Sequence, residues 1–129
     1  MKMPLHYEKA HDIYVLTCID VRIDSVSALQ EWASLLREAL SSVPHKFYLA
    51  IDIRDFHLSA HMAPAYGPIA KEVTARYTLA TVRYGSTENT TRAAIRLQAS
   101  LNQYASNIMP DKETAFTVLK ELRALAGKS

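Results

Sequence analysis

KFYLAIDIRDF, Lys46 to Phe56, is the stretch that decides the fold. Both alternating sets of positions in KFYLAIDI are largely apolar, the pattern of a strand covered on both faces by helices. A helical pattern precedes it and another follows it, so the strand belongs in the middle of an α/β sheet. Its carboxyl end, with Asp52 and Asp55, then faces the edge where open α/β sheets receive ligands or partners.

Upstream, IYVLTCI (Ile13 to Ile19) is rich in β-branched and aromatic residues and reads as a strand. LHYE before it is a candidate partner strand, with KAHD as the turn of an N-terminal hairpin. A helix is expected from about Ser27 to Ser42, because Leu29, Trp32, Ala33, Leu36, Leu40 and Val43 fall on one stripe. Ser27 with Gln30 fits a capping box, Asp24 is the competing cap, and Pro44 closes the segment. The Trp32 stripe is a core-packing pattern.

Downstream, RDFHLSAHMAPAYG reads as a loop. It is followed by a helix from Pro64 or Pro68 to Tyr77 with Tyr66, Ile69, Ala70, Val73 and Tyr77 inward. TLATVRY (Thr78 to Tyr84) is a third strand, and GSTENTT is a polar turn. A helix is then expected from about Thr90 to Ser106, with Ala94, Leu97, Leu101, Tyr104, Ala105 and Ile108 as its stripe. NIM is a short extended piece, and Asp111 caps a last helix with Ala115, Leu119, Leu122 and Ala126 inward. The expected order is ββαβαβαβα, a mixed, mainly parallel sheet of four or five strands with about four helices in one domain.

The chain has 129 residues, an ordinary domain size that needs neither metal nor disulfide for stability. Its formal charge of +2 does not by itself imply a nucleic-acid partner. The first half, residues 1–64, carries net −2 and the second +4, an asymmetry ordinary for a solvated surface. A single cysteine, Cys18, favours a reducing compartment, and its strand position without a cationic neighbour suits a buried, inert thiol. MKMPLHYEKAHD lacks the apolar region of a signal peptide, and no apolar run is long enough to span a membrane. A cytoplasmic protein without membrane insertion is the expectation.

The loops after the strands should converge on one sheet edge: Asp20, Arg22 and Asp24; Asp55, His57, Ser59 and His61; Gly85, Ser86, Thr87, Asn89 and Thr90. His57 and His61 have HxxxH spacing. The segment reads as loop, a third ligand would have to come from Asp55 or Asp20, and the HExxH glutamate is missing, so no metal is assigned. Asp52 is expected to be held by backbone N–H groups at the strand end, with Asp55 in solvent, rather than to form an acid/base pair with it. Gly85-Ser86-Thr87 ahead of a helix suits either an anion, with Arg83 or Arg92 adding charge, or a simple turn capped by Thr90 or Thr91. It lacks the nucleotide P-loop pattern. No catalytic residue and no cofactor is assigned; an enzyme would have to use the Asp55/His57/Ser86 edge.

YLAIDIRDF, TLATVRYG and NIMPDKETAFTVL, taken in order with the Trp32 helix, resemble the STAS domain of bacterial anti-sigma-factor antagonists. They resemble more closely the STAS-like proteins grouped with it, which are related in fold to CRAL-TRIO lipid carriers. The resemblance implies that fold and binding through the loop-and-helix edge. The antagonists carry a phosphorylated Asp-Ser pair there; the corresponding stretch is Ser59-Ala60-His61-Met62-Ala63, without that pair. The expected function is therefore a non-enzymatic regulatory module that binds a protein partner. The partner or ligand residues would be Asp55, His57, Ser59, His61, Met62, Tyr66, Arg83, Ser86 and Thr87. A small-ligand carrier or sensor, for a lipid-like or anionic molecule, is the alternative, and it requires an enclosed pocket between the sheet and the second and third helices. Helical faces of this size are also compatible with a two-fold homodimer.

Overall fold

The computed structural model describes residues 1–103 and 108–127. Its main sheet has five strands in the order β1-β2-β4-β6-β7. These are β1 (Leu5–Glu8), β2 (Ile13–Thr17), β4 (Phe47–Asp52), β6 (Thr78–Tyr84) and β7 (Ile108–Met109). β1 joins β2 as the expected antiparallel hairpin, and every other pairing in the sheet is parallel. β4 is central, between β2 and β6. Phe47, Leu49 and Ile51 face the larger core, and Ala50 faces the smaller one. That two-sided burial explains the unbroken apolar run.

Four helices cover the sheet: α1 (Val26–Ser41), α2 (Ala63–Tyr77), α3 (Asn89–Asn102) and α4 (Lys112–Ala126). α4 packs on one face against β4 and β6 through Ala115, Phe116 and Leu119. α1 and α2 share the larger core on the other face with Leu16, Leu49 and Ile51 of the sheet. α3 lies outside them, with its main contacts on α2 and on the short strand Phe56–Leu58.

Local chemistry sets the helix ends. The α1 cap is Ser25, whose hydroxyl accepts the Ala28 N–H at 3.1 Å; neither Ser27 nor Asp24 fills that role. α2 starts at Ala63, with Pro64 in the first turn and Pro68 inside the helix. α3 starts at Asn89 after Glu88, and Thr90 and Thr91 do not cap it. Asp111 caps α4 as expected, accepting the Thr114 N–H at 2.7 Å. That bond also holds the Asp111 carboxyl below its ordinary range.

Two expectations about helix faces fail. Leu97 and Leu101 are 57% and 66% exposed, and α3 instead buries Thr91, Ala94, Ile95, Gln98 and Ala99. Leu122 and Ala126 of α4 are also exposed. Tyr104, Ala105 and Ser106, expected on α3, lie outside the described residues, as does Asn107 of NIM.

The segment expected as one long loop contains β5 (Phe56–Leu58) and a 3₁₀ turn (Ala60–Met62). β5 pairs in parallel with β3 (Val21–Ile23) as a separate two-stranded sheet. Among the described residues the strands therefore number seven, and β3 and β5 are additions to the expected order. Each buries its two outer residues, Val21 and Ile23 or Phe56 and Leu58, in the larger core. The middle residue of each points outward, and this small sheet builds the candidate site.

Candidate functional site

In the β3–β5 register Arg22 lies opposite His57, on the solvent face of the small sheet. The groove above them has a volume of about 390 Å³ and is lined by Arg22, Asp24, His57, Ser59, Glu88 and Thr90, among others. Its acids are Asp24, just after β3, and Glu88 at the start of α3, and Asp55 from the loop before β5 reaches His57 from outside the lining. His57 Nε2 lies 3.5 Å from Asp55 Oδ1, and His57 Nδ1 meets Glu88 Oε1 on the other side of the ring. The imidazole is thus clamped between two carboxylates.

Backbone contacts hold the clamp. Asp55 Oδ2 accepts the Asp20 N–H at 2.7 Å. This bond, with His57 as a second contributor, keeps the Asp55 carboxyl below its usual value of 3.8. Thr87 donates to the Phe56 carbonyl at 2.7 Å, and the buried Thr91 hydroxyl accepts the Leu58 N–H at 3.1 Å. The polar turn GSTENTT and the first turn of α3 are therefore fastened to β5.

The turn itself depends on Gly85, whose φ is 103°. A Cβ there would lie 2.5 Å from Arg54 Cγ. Arg54 in turn forks onto Asp52, with Nε to Oδ1 at 3.0 Å and Nη2 to Oδ2 at 2.6 Å. Asp52 also accepts the Arg54 N–H at 3.1 Å, so it is a strand-end fixture held mainly by the Arg54 side chain and by one backbone N–H, rather than by backbone N–H groups alone as expected.

The expected site residues separate into three groups. Asp55, His57, Ser59 and Thr87 gather at the groove or its supports, and Ser86 is exposed on the adjoining turn. His61 lies beside it, with Nε2 3.0 Å from the Asp24 carbonyl. Met62 and Tyr66 are core residues instead, 7% and 2% exposed, and Tyr66 packs against Trp32 and Phe56. Arg83 is also buried and lines a small apolar cavity with Trp32, Tyr66 and Cys18, away from the Gly85 turn. The sequence reading missed Glu88, Thr91 and the outward pairing of Arg22 with His57. The available signal was the apolar–polar–apolar alternation in Val21-Arg22-Ile23 and Phe56-His57-Leu58.

Chemically, the groove is a fixed, mixed-charge surface. Both ring nitrogens of His57 face carboxylates, and Ser86 makes no hydrogen bond to it among the described residues. No three His, Cys, Asp or Glu side chains among the described residues are grouped to hold a metal ion. Cys18 is buried just after β2, and burial, with Asp52 adding to it, pushes its thiol up to about 12. Among the described residues no helix is long and apolar enough to cross a membrane. No protein-family model matches the chain, and no curated protein matches it at a significant level.

Proposed function

We propose that this chain is a STAS-like, non-enzymatic binding module of the bacterial cytoplasm that engages a protein partner across the β3–β5 groove. The observation that carries the reading is the row Arg22, His57 and Glu88 on the outward side of two short strands and a helix start, with His57 held between Asp55 and Glu88. Polar groups already held in place, as His57 and Glu88 are, lose little freedom on association, and Arg22 and Glu88 can orient a partner of complementary charge. The mainly parallel sheet with helices on both faces supports the STAS-like part of the reading.

The absence of a catalytic assignment rests on the clamp. Among the described residues His57 meets carboxylates and no hydroxyl or thiol at its ring nitrogens, and the chain's one cysteine is buried. Ser59 precedes the 3₁₀ turn without capping it by its side chain, so it does not stand in for the helix-start serine of the antagonists. A lipid-sized cargo has little support. The cavity under α1 and α2 has a volume of about 20 Å³, room for a single water, against roughly 300–1,000 Å³ for typical ligand sites.

The test is quantitative affinity capture with Arg22→Glu and His57→Ala, using Glu121→Ala on α4 as the control. The expected result is that one partner is recovered by wild type and control and falls at least about tenfold with both groove variants, as for a central contact. Equal recovery with all four proteins would remove the groove from the interface.

A further inference from the structure

We propose that the outer edge of β1 pairs with the same edge of a second copy of this chain, joining the two main sheets across a two-fold axis at Leu5. This goes beyond the partner reading at the β3–β5 groove and does not depend on it. β1 is an edge of the five-stranded sheet, and its main contacts are with β2. The ladder between them fixes which backbone groups face outward. Lys2 and Ile19 exchange two bonds of 2.9 Å, and the Thr17 N–H donates to the Pro4 carbonyl at 3.1 Å. Antiparallel rungs alternate, so His6 and Glu8 continue this inner set opposite Val15 and Ile13. Met3, Leu5 and Tyr7 therefore turn their N–H and C=O groups away from β2, and these groups hold no bond among the described residues.

Such an edge accepts another strand unless something blunts it. Proline is a common block, but the N–H that Pro4 lacks would have pointed at Thr17, so the outer edge is intact. The edge also opens onto a groove of about 570 Å³, walled by Met3 and Leu5 on one side and by Leu35, Ala39 and Ser42 of α1 on the other. Free main-chain groups beside a side-chain groove are what strand addition uses.

The residues of the edge suit a second copy as the occupant. With Leu5 opposite the partner's Leu5, the antiparallel register sets Met3 against the partner's Tyr7 and Lys2 against the partner's Glu8. The rungs at Leu5 and on either side of it then exchange both backbone bonds, and the two-fold repeats each unlike pair. The Lys2 side chain is exposed and holds no ion pair among the described residues. Glu8 keeps Lys112 through Oε1, and Lys2 brings a charge of favourable sign beside it. Centring the pair on His6 would set the two histidines against each other, and centring it on Tyr7 would set Leu5 against Lys9 of the hairpin turn. Tyr7 is 42% exposed, yet its ring already lies 4.6 Å from Tyr14 and its hydroxyl donates to Asp12. It therefore loses little freedom on reaching the partner's Met3 at the mouth of the groove.

The test is sedimentation of the full chain from about 1 μM to about 1 mM, with amide exchange measured at both ends of that range. The expected result is a concentration-dependent dimer in which the Leu5 and Tyr7 amides become protected, while His6 and Glu8, bonded to β2, are protected throughout. Leu5→Pro removes an N–H that the isolated chain does not use and should weaken dimerisation at least about tenfold; Trp32 emission in urea checks that the fold survives. Lys2→Glu, at an exposed side chain, should weaken it roughly tenfold by turning two attractions into repulsions. His57→Ala should have no effect. The proposal is overturned if the chain stays monomeric at about 1 mM, if it dimerises with Leu5 and Tyr7 still exchanging freely, or if Lys2→Glu leaves dimerisation unchanged. A monomeric chain whose Leu5 and Tyr7 amides are protected only by an added partner would give this edge to another protein and overturn the self-pairing.

Discussion

The two grooves of this molecule treat charge in opposite ways. At the β3–β5 groove a histidine and two acids hold one another: His57 sits between Asp55 and Glu88, and Asp55 also takes the Asp20 amide. At the α2–β6 groove the charged residues among the described lining, Lys71 and Arg83, are cationic, and Arg83, which has an interaction of its own within the chain, is buried beside an apolar cavity. A mixed-charge surface gains by matching shape and charge over a broad area, as protein interfaces do.

Tyr66 stands between the two. It packs on Phe56 of the small sheet and lines the cavity behind Arg83. Tyr66→Ala is expected to destabilise the fold by about 3–5 kcal/mol, the range for emptying a large aromatic site, measured by urea unfolding. It should also broaden amide resonances at both grooves. A loss below about 1 kcal/mol would show that Tyr66 is a contact residue rather than the wall between them.

A smaller change separates the grooves. Thr91→Val keeps the side-chain shape but leaves the buried Leu58 N–H without its acceptor. The expected cost is about 1–3 kcal/mol. Faster amide exchange should be confined to β5 and the start of α3, with Leu79 to Thr81 unaffected. Equal loosening of both grooves would mean that α3 supports them as one unit.

The smallest effect is electrostatic. The Asp55 carboxyl lies below its usual value of 3.8 in the fold. Its contribution is therefore present above that value and lost as pH falls through the lower folded value. Asp55→Asn should flatten the acid limb of the stability curve below about pH 4 and leave the neutral region nearly parallel to wild type. An unchanged acid limb would remove Asp55 from the clamp.

The scaffold was legible where periodicity ran long enough. β4 announced itself through apolar residues on both faces, and α1 through the Leu29 to Leu40 stripe, because each packs a full face against the core. β3 and β5 have three residues each, too few for an alternating pattern to stand out from a loop. The outward pairing of Arg22 and His57 was hidden with them. Asp55, His57, Ser59 and Thr87 could be placed at the carboxyl edge by topology alone, but their partners in Glu88 and Thr91 come from tertiary contact.

α3 misled for a different reason. Its leucines suggested a stripe, yet α2 and α3 approach so closely at Gly67 that a Cβ there would lie 2.6 Å from Gln98 Oε1. Such an approach selects Ala94, Gln98 and Ala99 for the contact and turns Leu97 and Leu101 outward. Close packing outranked hydrophobicity. Similarly, Arg83 looked like charge for the Gly85 turn, but in a sheet covered on both faces even an arginine next to the strand end points into a core.

The central claim is that the β3–β5 groove is the working surface, and amide hydrogen exchange of the wild-type chain with and without its captured partner tests it most directly. Protection on binding is expected at Phe56 to Ala60 and at Glu88 to Thr91, with little change along α4. Protection confined to α4 or to the β1–β2 hairpin, with the groove unchanged, would contradict it.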